Sequence, residues 1–144
     1  MLMSLLTLAH LIGLALGVGA ATVKVFLLLK CRRDTSFLKI YIQVARLITR
    51  QIVAGMILLT LSGIGFLVVG FPFTTRLAIK VIFVAALWAL GPVIDNVIEP
   101  KFRTLAPEPG APASPEFIAA QQRYVAIEVL ATSLFYLIIV IWTL

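Results

Sequence analysis

The chain has 144 residues, of which 62% are hydrophobic and only 12% are charged, whereas soluble domains carry about 25% charged residues. This composition excludes an ordinary soluble domain, and a mean hydropathy of +1.12 indicates that most apolar side chains face lipid. The single cysteine and single histidine exclude an internal disulfide, a Cys/His zinc cluster and a haem held by two histidines of this chain.

Four apolar runs are long enough to form membrane-spanning helices, because about 20 helical residues cross the hydrocarbon core. They cover residues 2–29, 47–70, 77–98 and 122–144. The first run has no Lys or Arg before Lys24 and is too long for the apolar part of a signal peptide, so we interpret it as a retained helix. The sequence therefore predicts an all-α, polytopic membrane protein in which residues 1–144 form one four-helix bundle.

The basic residues predict how this bundle is oriented. Most of them lie in or beside the two longer connections, namely Lys30, Arg32, Arg33, Lys39, Arg46, Arg50, Lys101, Arg103 and Arg123, while the opposite side has only Arg76 and Lys80. Because Lys and Arg accumulate on the cytoplasmic side, we expect both long connections there and both termini outside. The net charge of +6 then indicates contact with anionic inner-leaflet lipids and no nucleic-acid partner.

The two longer connections differ in character. Residues 35–50 predict a cytoplasmic amphipathic helix that lies on the inner leaflet and continues into the second spanning helix. Its apolar face would carry Phe37, Ile40, Val44 and Leu47, and its basic face Lys39, Gln43, Arg46 and Arg50. Residues 100–116 are rich in proline and small residues, which favours a stiff, extended cytoplasmic loop.

The first predicted helix has one face made of small residues. Gly13, Gly17 and Ala21 recur at steps of four, and His10 and Lys24 continue the same stripe. A small-xxx-small pattern lets a neighbouring backbone approach closely. We therefore expect Gly13, Gly17 and Ala21 to pack into the bundle or against a partner helix.

Three ionisable residues fall at similar depth in the predicted bundle. Lys24 lies near the cytoplasmic end of the first helix, Asp95 near the same end of the third, and Glu128 in the fourth. A charge inside a bilayer costs a few kcal/mol or more, so Lys24 is expected to pair with Asp95 or Glu128, and Asn96 and Tyr124 could join the network. The cluster is interpreted either as a structural ion pair between helices or as a relay for a proton or cation.

His10 is the one residue that could act as an axial ligand. An imidazole nitrogen near the outer end of the first helix could bind haem iron or the magnesium of a chlorophyll-type pigment. The alternative is a hydrogen bond to Ser4, Thr60 or Ser62 across helices. The sequence offers no further set of metal ligands, so no other metal site is expected.

Two stretches carry a family resemblance. AHLIGLALGVGAATVK, residues 9–24, with the basic connection that follows, and LSGIG, residues 61–65, resemble small four-helix bacterial inner-membrane proteins of uncharacterised function. These look loosely like the integral membrane domain of copper-resistance D proteins. The resemblance covers the first two helices and implies a four-helix architecture in the bacterial inner membrane. Copper handling would call for His or Met ligands, of which the chain has only His10, Met1, Met3 and Met56.

The sequence supports three hypotheses about function. No Gly-rich phosphate loop, Ser/His/Asp set or HExxH motif is present, so we expect no catalytic residues and no enzyme. The first hypothesis is a non-catalytic accessory or scaffolding subunit of a larger inner-membrane complex, with other membrane subunits as partners. The second is a small ion-coupled transporter or channel bundle that uses Lys24, Asp95 and Glu128. The third is a pigment- or haem-binding subunit of a photosynthetic or respiratory assembly, with His10 as its ligand.

Overall fold

The protein is all-helical in the computed structural model, which describes residues 1–108 and 111–143. Helix α1 covers Leu2–Arg33 and α2 covers Leu38–Val68, with a 3₁₀ turn at Thr35–Phe37 between them. The remaining elements are α3 at Thr75–Val93, a π-helical turn at Ile94–Ile98, α4 at Glu99–Thr104 and α5 at Pro115–Thr143.

Four helical stretches are long and apolar enough to cross a membrane. They are Leu2–Arg33, Leu38–Val68, Thr75–Thr104 and Pro115–Ile141. Each exceeds the length of about 20 residues that spans a hydrocarbon core, and each is strongly apolar. The expected all-α bundle of four spanning helices is thus confirmed, and the protein has the build of a multi-pass membrane protein.

Helices α1 and α2 form an antiparallel hairpin with one continuous register. The neighbouring pairs along it are Leu6 with Gly65, His10 with Ser62, Gly17 with Gly55, and Lys24 with Thr49. At the crossing the two backbones touch, because a Cβ added to Gly55 would collide with the Gly17 backbone nitrogen. Gly13 is equally close-packed, since its Cβ would lie 3.0 Å from the Gly55 carbonyl oxygen.

The end of α2 is set by Gly70. This glycine has a φ of +97°, and the Phe71 N–H donates to the Phe66 carbonyl while the Gly70 N–H donates to that of Leu67. The two bonds form a Schellman cap, which requires the left-handed backbone that glycine adopts without strain. Phe66 and Phe71 complete it with ring centroids 6.0 Å apart. The chain therefore turns sharply into α3, which Thr74 caps by accepting from the Leu77 N–H at 3.3 Å.

The third spanning stretch is interrupted where its prolines lie. Pro92 lies inside α3, and the helix then widens into the π-helical turn before Pro100 begins the first turn of α4. Proline lacks the N–H that an α-helix interior uses, and a π turn relieves the resulting clash. Because a helix tolerates proline in its first turn, the helical chain continues to Thr104. The Pro-rich loop begins at residue 105, so the predicted start at residue 100 is wrong.

The other predicted bounds also need correction. Helix α1 ends four residues later than predicted, and α3 begins two residues earlier. Helix α5 begins at Pro115 and not at 122, because Ser114 caps it by accepting from the Phe117 N–H at 3.1 Å. Of the predicted loop, residues 109 and 110 lie outside the described residues, as does residue 144 of the last predicted span.

The predicted amphipathic segment, residues 35–50, is the beginning of α2 and runs into it without a break. The side chains that it buries are Leu38, Tyr41 and Ala45, whereas Ile40 and Leu47 are exposed. The bundle is thus packed by a different face from the apolar one that the sequence assigns to the inner leaflet. Whether Ile40 and Leu47 contact lipid stays a prediction.

The apolar core has two parts, one nearer each end of the bundle. One is aromatic and lies where α1 ends and α2 begins, and we call this end the basic end because Arg32, Arg33, Lys39 and Lys101 are exposed there. Its buried members include Tyr41, Phe102, Phe117 and Tyr124. The second part lies farther along the bundle and consists of Val18, Ala21, Met56, Leu87 and Phe135. We call the opposite end, with Met1 and the 69–74 connection, the terminal end.

Candidate functional site

Lys24 lies at the centre of a buried group of charges, which we call the ionic cluster. Its ammonium nitrogen is 2.6 Å from Glu128 Oε1 of α5 and 3.3 Å from Glu99 Oε2 of α4. It also donates to Thr49 Oγ1 of α2 at 2.9 Å. The side chain is 1% exposed, and the three oxygens around its ammonium group belong to three different helices. One ammonium group thus links α1 to three other elements.

Glu99 is the carboxylate with the most partners in the ionic cluster. Its Oε1 accepts from Arg103 Nε at 2.9 Å and Nη2 at 2.5 Å. Its Oε2 accepts from the Tyr124 hydroxyl at 2.8 Å, and that hydroxyl in turn accepts from Tyr41 at 2.9 Å. Hydrogen bonds to a carboxylate from charged and neutral donors stabilise its ionised form. Glu99 is therefore held as a carboxylate by α4, α5 and α2 together.

Aromatic rings close the ionic cluster on the side of the basic end. Phe102 packs against Tyr124 with centroids 5.1 Å apart and stacks on Phe117 at 5.3 Å. Tyr41 meets the Phe102 ring edge-on at 6.1 Å. These rings are buried and place an apolar layer around the hydrogen bonds of Glu99, which strengthens them by keeping water out.

A small cavity adjoins the ionic cluster between the four spanning helices. Its volume is about 50 Å³, and all four contribute to its wall. The polar residues that line it are Lys24, Thr49, Asp95, Glu128 and Thr132. Thr132 is 8% exposed, and its hydroxyl has no hydrogen-bond partner among the described residues. The cavity therefore presents carboxylate and hydroxyl oxygens to a common space.

Asp95 differs from the other two carboxylates of this region. It is half-buried, lines the cavity and lies in the π-helical turn one helical turn before Glu99. It takes part in none of the ion pairs found among the described residues. The pairing of Lys24 that the sequence left open thus goes to Glu128, with Glu99 as the second acid.

The sequence found part of the ionic cluster and missed part. Lys24, Glu128 and Tyr124 belong to it and Asp95 lies beside it, but Asn96 is exposed and turned away. Glu99 fell just past the end of the third predicted span and Arg103 in the predicted loop, and both were left out of the network. The spacing of four that joins Asp95, Glu99 and Arg103 would have indicated one helical face if Pro100 had been read as a first-turn proline.

His10 lies far from the ionic cluster, nearer the terminal end. Its Nδ1 is 2.8 Å from the Ser62 hydroxyl oxygen, one of the three partners that the sequence suggested. That hydroxyl is also 2.6 Å from the Leu58 carbonyl oxygen. When it donates there, the neutral ring carries its proton on Nδ1 and donates to Ser62. The ring also meets Phe66 edge-on at 5.7 Å. This arrangement leaves the lone pair on Nε2.

The small residues Gly13, Gly17 and Ala21 lie inside the bundle. Gly13 and Gly17 contact α2 at Gly55, and Ala21 is buried beside the cavity. This face of α1 is thus fully used within the chain. No group of three or more His, Cys, Asp or Glu side chains that could hold a metal ion occurs in the described part of the chain.

Comparison with known proteins gives no relative for this chain: no family model, curated protein or solved structure matches it.

Proposed function

We propose that this chain is a non-catalytic accessory subunit of a larger membrane complex, bound to a neighbouring subunit through the outward side of α3. In this proposal the ionic cluster has a structural role, in which its contacts between helices fix the shape of the subunit. The observation that carries the proposal is an exposed polar residue, Asn96, on a spanning helix whose outward side is otherwise small and apolar.

Helix α3 is the least enclosed of the spanning helices. Only 11% of its most apolar stretch is buried, against 39% for α1 and 33% for α5. A short connection joins it to α2, yet the two helices pack loosely. One hydrogen bond between them runs from Trp88 Nε1 to Thr60 Oγ1 at 3.1 Å. Such a helix has most of its surface available for lipid or for another helix.

The exposed residues of α3 and the π-helical turn that recur at steps of three or four define the α3 outer face. They are Ile82, Ala85, Ala89, Val93 and Asn96. Ala85 and Ala89 are one turn apart and would let a neighbouring backbone approach, as small residues do where membrane helices associate. The glycines that would serve this purpose on α1 are already occupied by α2.

Asn96 indicates that the α3 outer face contacts another helix and not only lipid. Its amide has no hydrogen-bond partner among the described residues, and it lies within a stretch long and apolar enough to span a membrane. An unsatisfied amide in hydrocarbon costs free energy, which a hydrogen bond to a polar group on a neighbouring helix would recover. A transmembrane helix of another subunit is the partner that meets both requirements.

The apolar part of the core favours a subunit over the transport alternative. Val18, Met56, Leu87 and Phe135 lie between the ionic cluster and the region of His10. A path for an ion or proton needs polar groups or water along its length. Within the described residues, the one buried polar side chain beside this layer is Thr132, at the cavity. A single hydroxyl group does not make a polar path, so the ionic cluster fits a structural contact between helices better than one end of a pathway.

The proposal includes an orientation. The basic end faces the cytoplasm of a bacterial cell, both termini face outward, and the exposed lysines and arginines at the basic end contact anionic lipids of the inner leaflet. The distribution of the basic residues supports this orientation. It places Asn96 in the cytoplasmic half of the membrane.

Copurification from native membranes tests the accessory role. The tagged chain is expected to elute with a second membrane protein at a mass well above 15.7 kDa. Asn96→Leu together with Ala89→Leu should release that partner, whereas the matched substitutions Thr7→Leu and Ala15→Leu on the exposed side of α1 should retain it. Elution as a monomer, or a partner that the α3 substitutions leave bound, contradicts the proposal.

A second candidate function is favoured by the hydrogen bonding of His10. A ligating imidazole usually donates from one ring nitrogen and binds metal through the other. The Ser62 hydroxyl fixes His10 in this form, with Nε2 as the free nitrogen. His10 would then be the axial ligand of a haem or chlorophyll-type pigment shared with a neighbouring subunit.

An absorption spectrum of protein from native membranes separates this candidate from the first. A bound pigment predicts a coloured protein, loss of colour in His10→Ala and a shifted band in Ser62→Ala. A colourless wild type, or a spectrum that His10→Ala leaves unchanged, removes the candidate and leaves the accessory role intact.

A further inference from the structure

The ionic cluster and its cavity hold more negative than positive charge. The acids are Asp95, Glu99 and Glu128, and the cations are Lys24 and Arg103, so the formal sum is −1 when all five are ionised. From α2 the cavity is faced by the neutral residues Thr49, Ile52, Val53 and Met56, and the nearby tyrosines Tyr41 and Tyr124 are neutral phenols. A lone negative charge within a bilayer is strongly disfavoured, and one proton removes it.

The geometry indicates which acid carries the proton. Glu99 accepts from Arg103 and Tyr124 and lies 3.3 Å from Lys24, while Glu128 lies 2.6 Å from the same ammonium. Each of these two acids therefore lies within ion-pair distance of a cation, which favours its ionised form. Asp95 has no such partner and borders the cavity. Of the three acids, it loses least by becoming neutral.

The cavity supplies a second and independent observation. Its volume of about 50 Å³ is enough for at least one water molecule. The Thr132 hydroxyl faces it, is nine-tenths buried and lacks a hydrogen-bond partner among the described residues. A water molecule bound here would give Thr132 that partner and would connect it to the carboxyl group of Asp95.

We propose that this cavity is a proton-binding site, in which Asp95 holds one exchangeable proton and a water molecule bridges it to Thr132. The proton comes from a hydronium ion of the bulk water, whose O–H bond breaks as a new O–H bond forms on the Asp95 carboxylate. A water molecule is left behind, and the total charge of the region becomes zero. The site takes up and returns a proton without being part of a pathway across the membrane. It does not depend on whether a partner binds the α3 outer face.

Infrared spectroscopy of the full-length protein in lipid nanodiscs at neutral pH tests the site. A protonated carboxyl group absorbs apart from a carboxylate, and its band shifts in heavy water. The chain has six acidic side chains, of which Asp34, Glu108 and Glu116 are exposed to water. The wild type is therefore expected to show the band of one protonated carboxyl group.

Isotope labelling assigns the band to its residue. Protein made with aspartate carrying carbon-13 at the side-chain carboxyl should show the band displaced, and Asp34 is the only other aspartate. Asp95→Asn should abolish the band, and Glu116→Gln, a matched change at an exposed acid, should leave it. An absent band, a band that labelled aspartate does not displace, or a band that survives in Asp95→Asn overturns the proposal.

If the charge balance of the region sets the protonation of Asp95, substitutions at neighbouring charges should change the band. If burial alone protonates Asp95, they should not. Glu128→Gln should also abolish the band, because the region is then neutral with Asp95 ionised. Lys24→Met should double its area, because a second proton is then needed. Unchanged areas in both variants, measured on samples whose helical circular dichroism equals that of the wild type, would overturn the balance argument.

Two further measurements test the water bridge and the nature of the ligand. Thr132→Val keeps the shape of the side chain and should move the band without removing it, and an unmoved band contradicts the bridge. The band should be the same in sodium and in choline buffers. Its loss in sodium at constant pH would mean that the cavity binds a metal cation, which contradicts the proposal.

Discussion

Lys24 is the residue that joins most of the helices, because its ammonium group reaches Thr49, Glu99 and Glu128 at once. A buried ion pair adds little over a well-packed apolar pair, but removal of one partner leaves an uncompensated buried charge. We therefore expect the intact ionic cluster to add little to the free energy of unfolding. Removing one of its charges should destabilise the bundle strongly.

Removal of Lys24 tests this directly. We expect Lys24→Met to lower the free energy of unfolding by about 3–5 kcal/mol, because Glu128 loses its ion-pair partner. The double variant Lys24→Met with Glu128→Gln should recover a large part of the loss. Thermal unfolding in detergent, followed by circular dichroism, measures both.

The matched control is Lys39→Met, at an exposed lysine near the start of α2, which should stay close to wild type. A Lys24→Met protein as stable as this control would contradict the role of the ionic cluster.

A second prediction concerns Asp34, between α1 and the 3₁₀ turn. Its Oδ1 accepts from the Ser36 hydroxyl at 2.5 Å and from the Ser36 N–H at 3.0 Å, and these bonds hold the pKa of Asp34 below its ordinary value. Because the pKa in the folded protein is lowered, their contribution is present above the ordinary pKa and is lost as the pH falls through the lowered one.

Ser36→Ala should therefore raise the pKa of Asp34 toward its ordinary value. A carbon-13 NMR titration of labelled aspartate measures this, with Asp95→Asn as background so that a single aspartate is observed. An unchanged pKa in Ser36→Ala would show that the hydrogen bond from the Ser36 hydroxyl does not form in solution.

At the scale of the elements, the contact between α1 and α2 depends on Gly55. A methyl group at this position would meet the backbone of Gly17, whereas a methyl group at Gly63 meets nothing within 4 Å. Backbone atoms cannot move aside as the end of a flexible side chain can, so the two helices would have to separate.

Gly55→Ala is expected to destabilise the protein by roughly 1–3 kcal/mol through overpacking. Gly63→Ala, the matched control on the same helix, should leave stability unchanged or raise it by up to about 1 kcal/mol, since alanine favours helix. Equal melting temperatures for the two variants would mean that the close crossing is absent.

The sequence predicts the presence of the helices better than their ends, because the two depend on different features of the sequence. Apolar runs gave the four spanning helices because lipid imposes a minimum length and internal hydrogen bonding on them. The ends of these helices were less predictable. Pro100 was taken to end the third helical stretch, but it lies in the first turn of α4 and the stretch continues. The cap that Ser114 forms before Pro115 was overlooked. The ion pairs of Glu99 depend on that continuation of the helix, so the error hid half of the ionic cluster.

The first turns of α2 show that hydrophobicity does not predict which side of a membrane helix is buried. Ile40 and Leu47 are more hydrophobic than Ala45, yet they are exposed and Ala45 is buried in the aromatic part of the core. In a chain that contacts lipid, hydrophobicity does not distinguish the inside of a bundle from its outside. Sequence alone therefore predicts the presence of such helices better than their rotation.

At the scale of the whole molecule, α1 and α5 run antiparallel, as the pairing of Lys24 with Glu128 and of Gly17 with Phe135 shows. Met1 and Thr143 therefore lie at the same end of the bundle, and the basic connections lie at the other. The orientation that we propose follows from the excess of Lys and Arg at the basic end.

Cysteine labelling tests this orientation. In a Cys31→Ala background, Ser4→Cys should react with a membrane-impermeant maleimide on intact cells, because we place the terminal end outside. Ser36→Cys, equally exposed at the basic end, should react only after the membrane is permeabilised. Labelling of Ser36→Cys on intact cells would reverse the orientation.

The central claim is that the α3 outer face binds a helix of another subunit, and site-specific photocrosslinking in native membranes tests it most directly. A photoreactive amino acid at Ala89 on α3 is compared with the same amino acid at Ala15, an exposed alanine on α1. We expect the photoreactive amino acid at position 89 to form one discrete crosslink to another membrane protein and the one at position 15 to form none. A chain that remains uncrosslinked at Ala89, or that crosslinks equally from both positions, would contradict it.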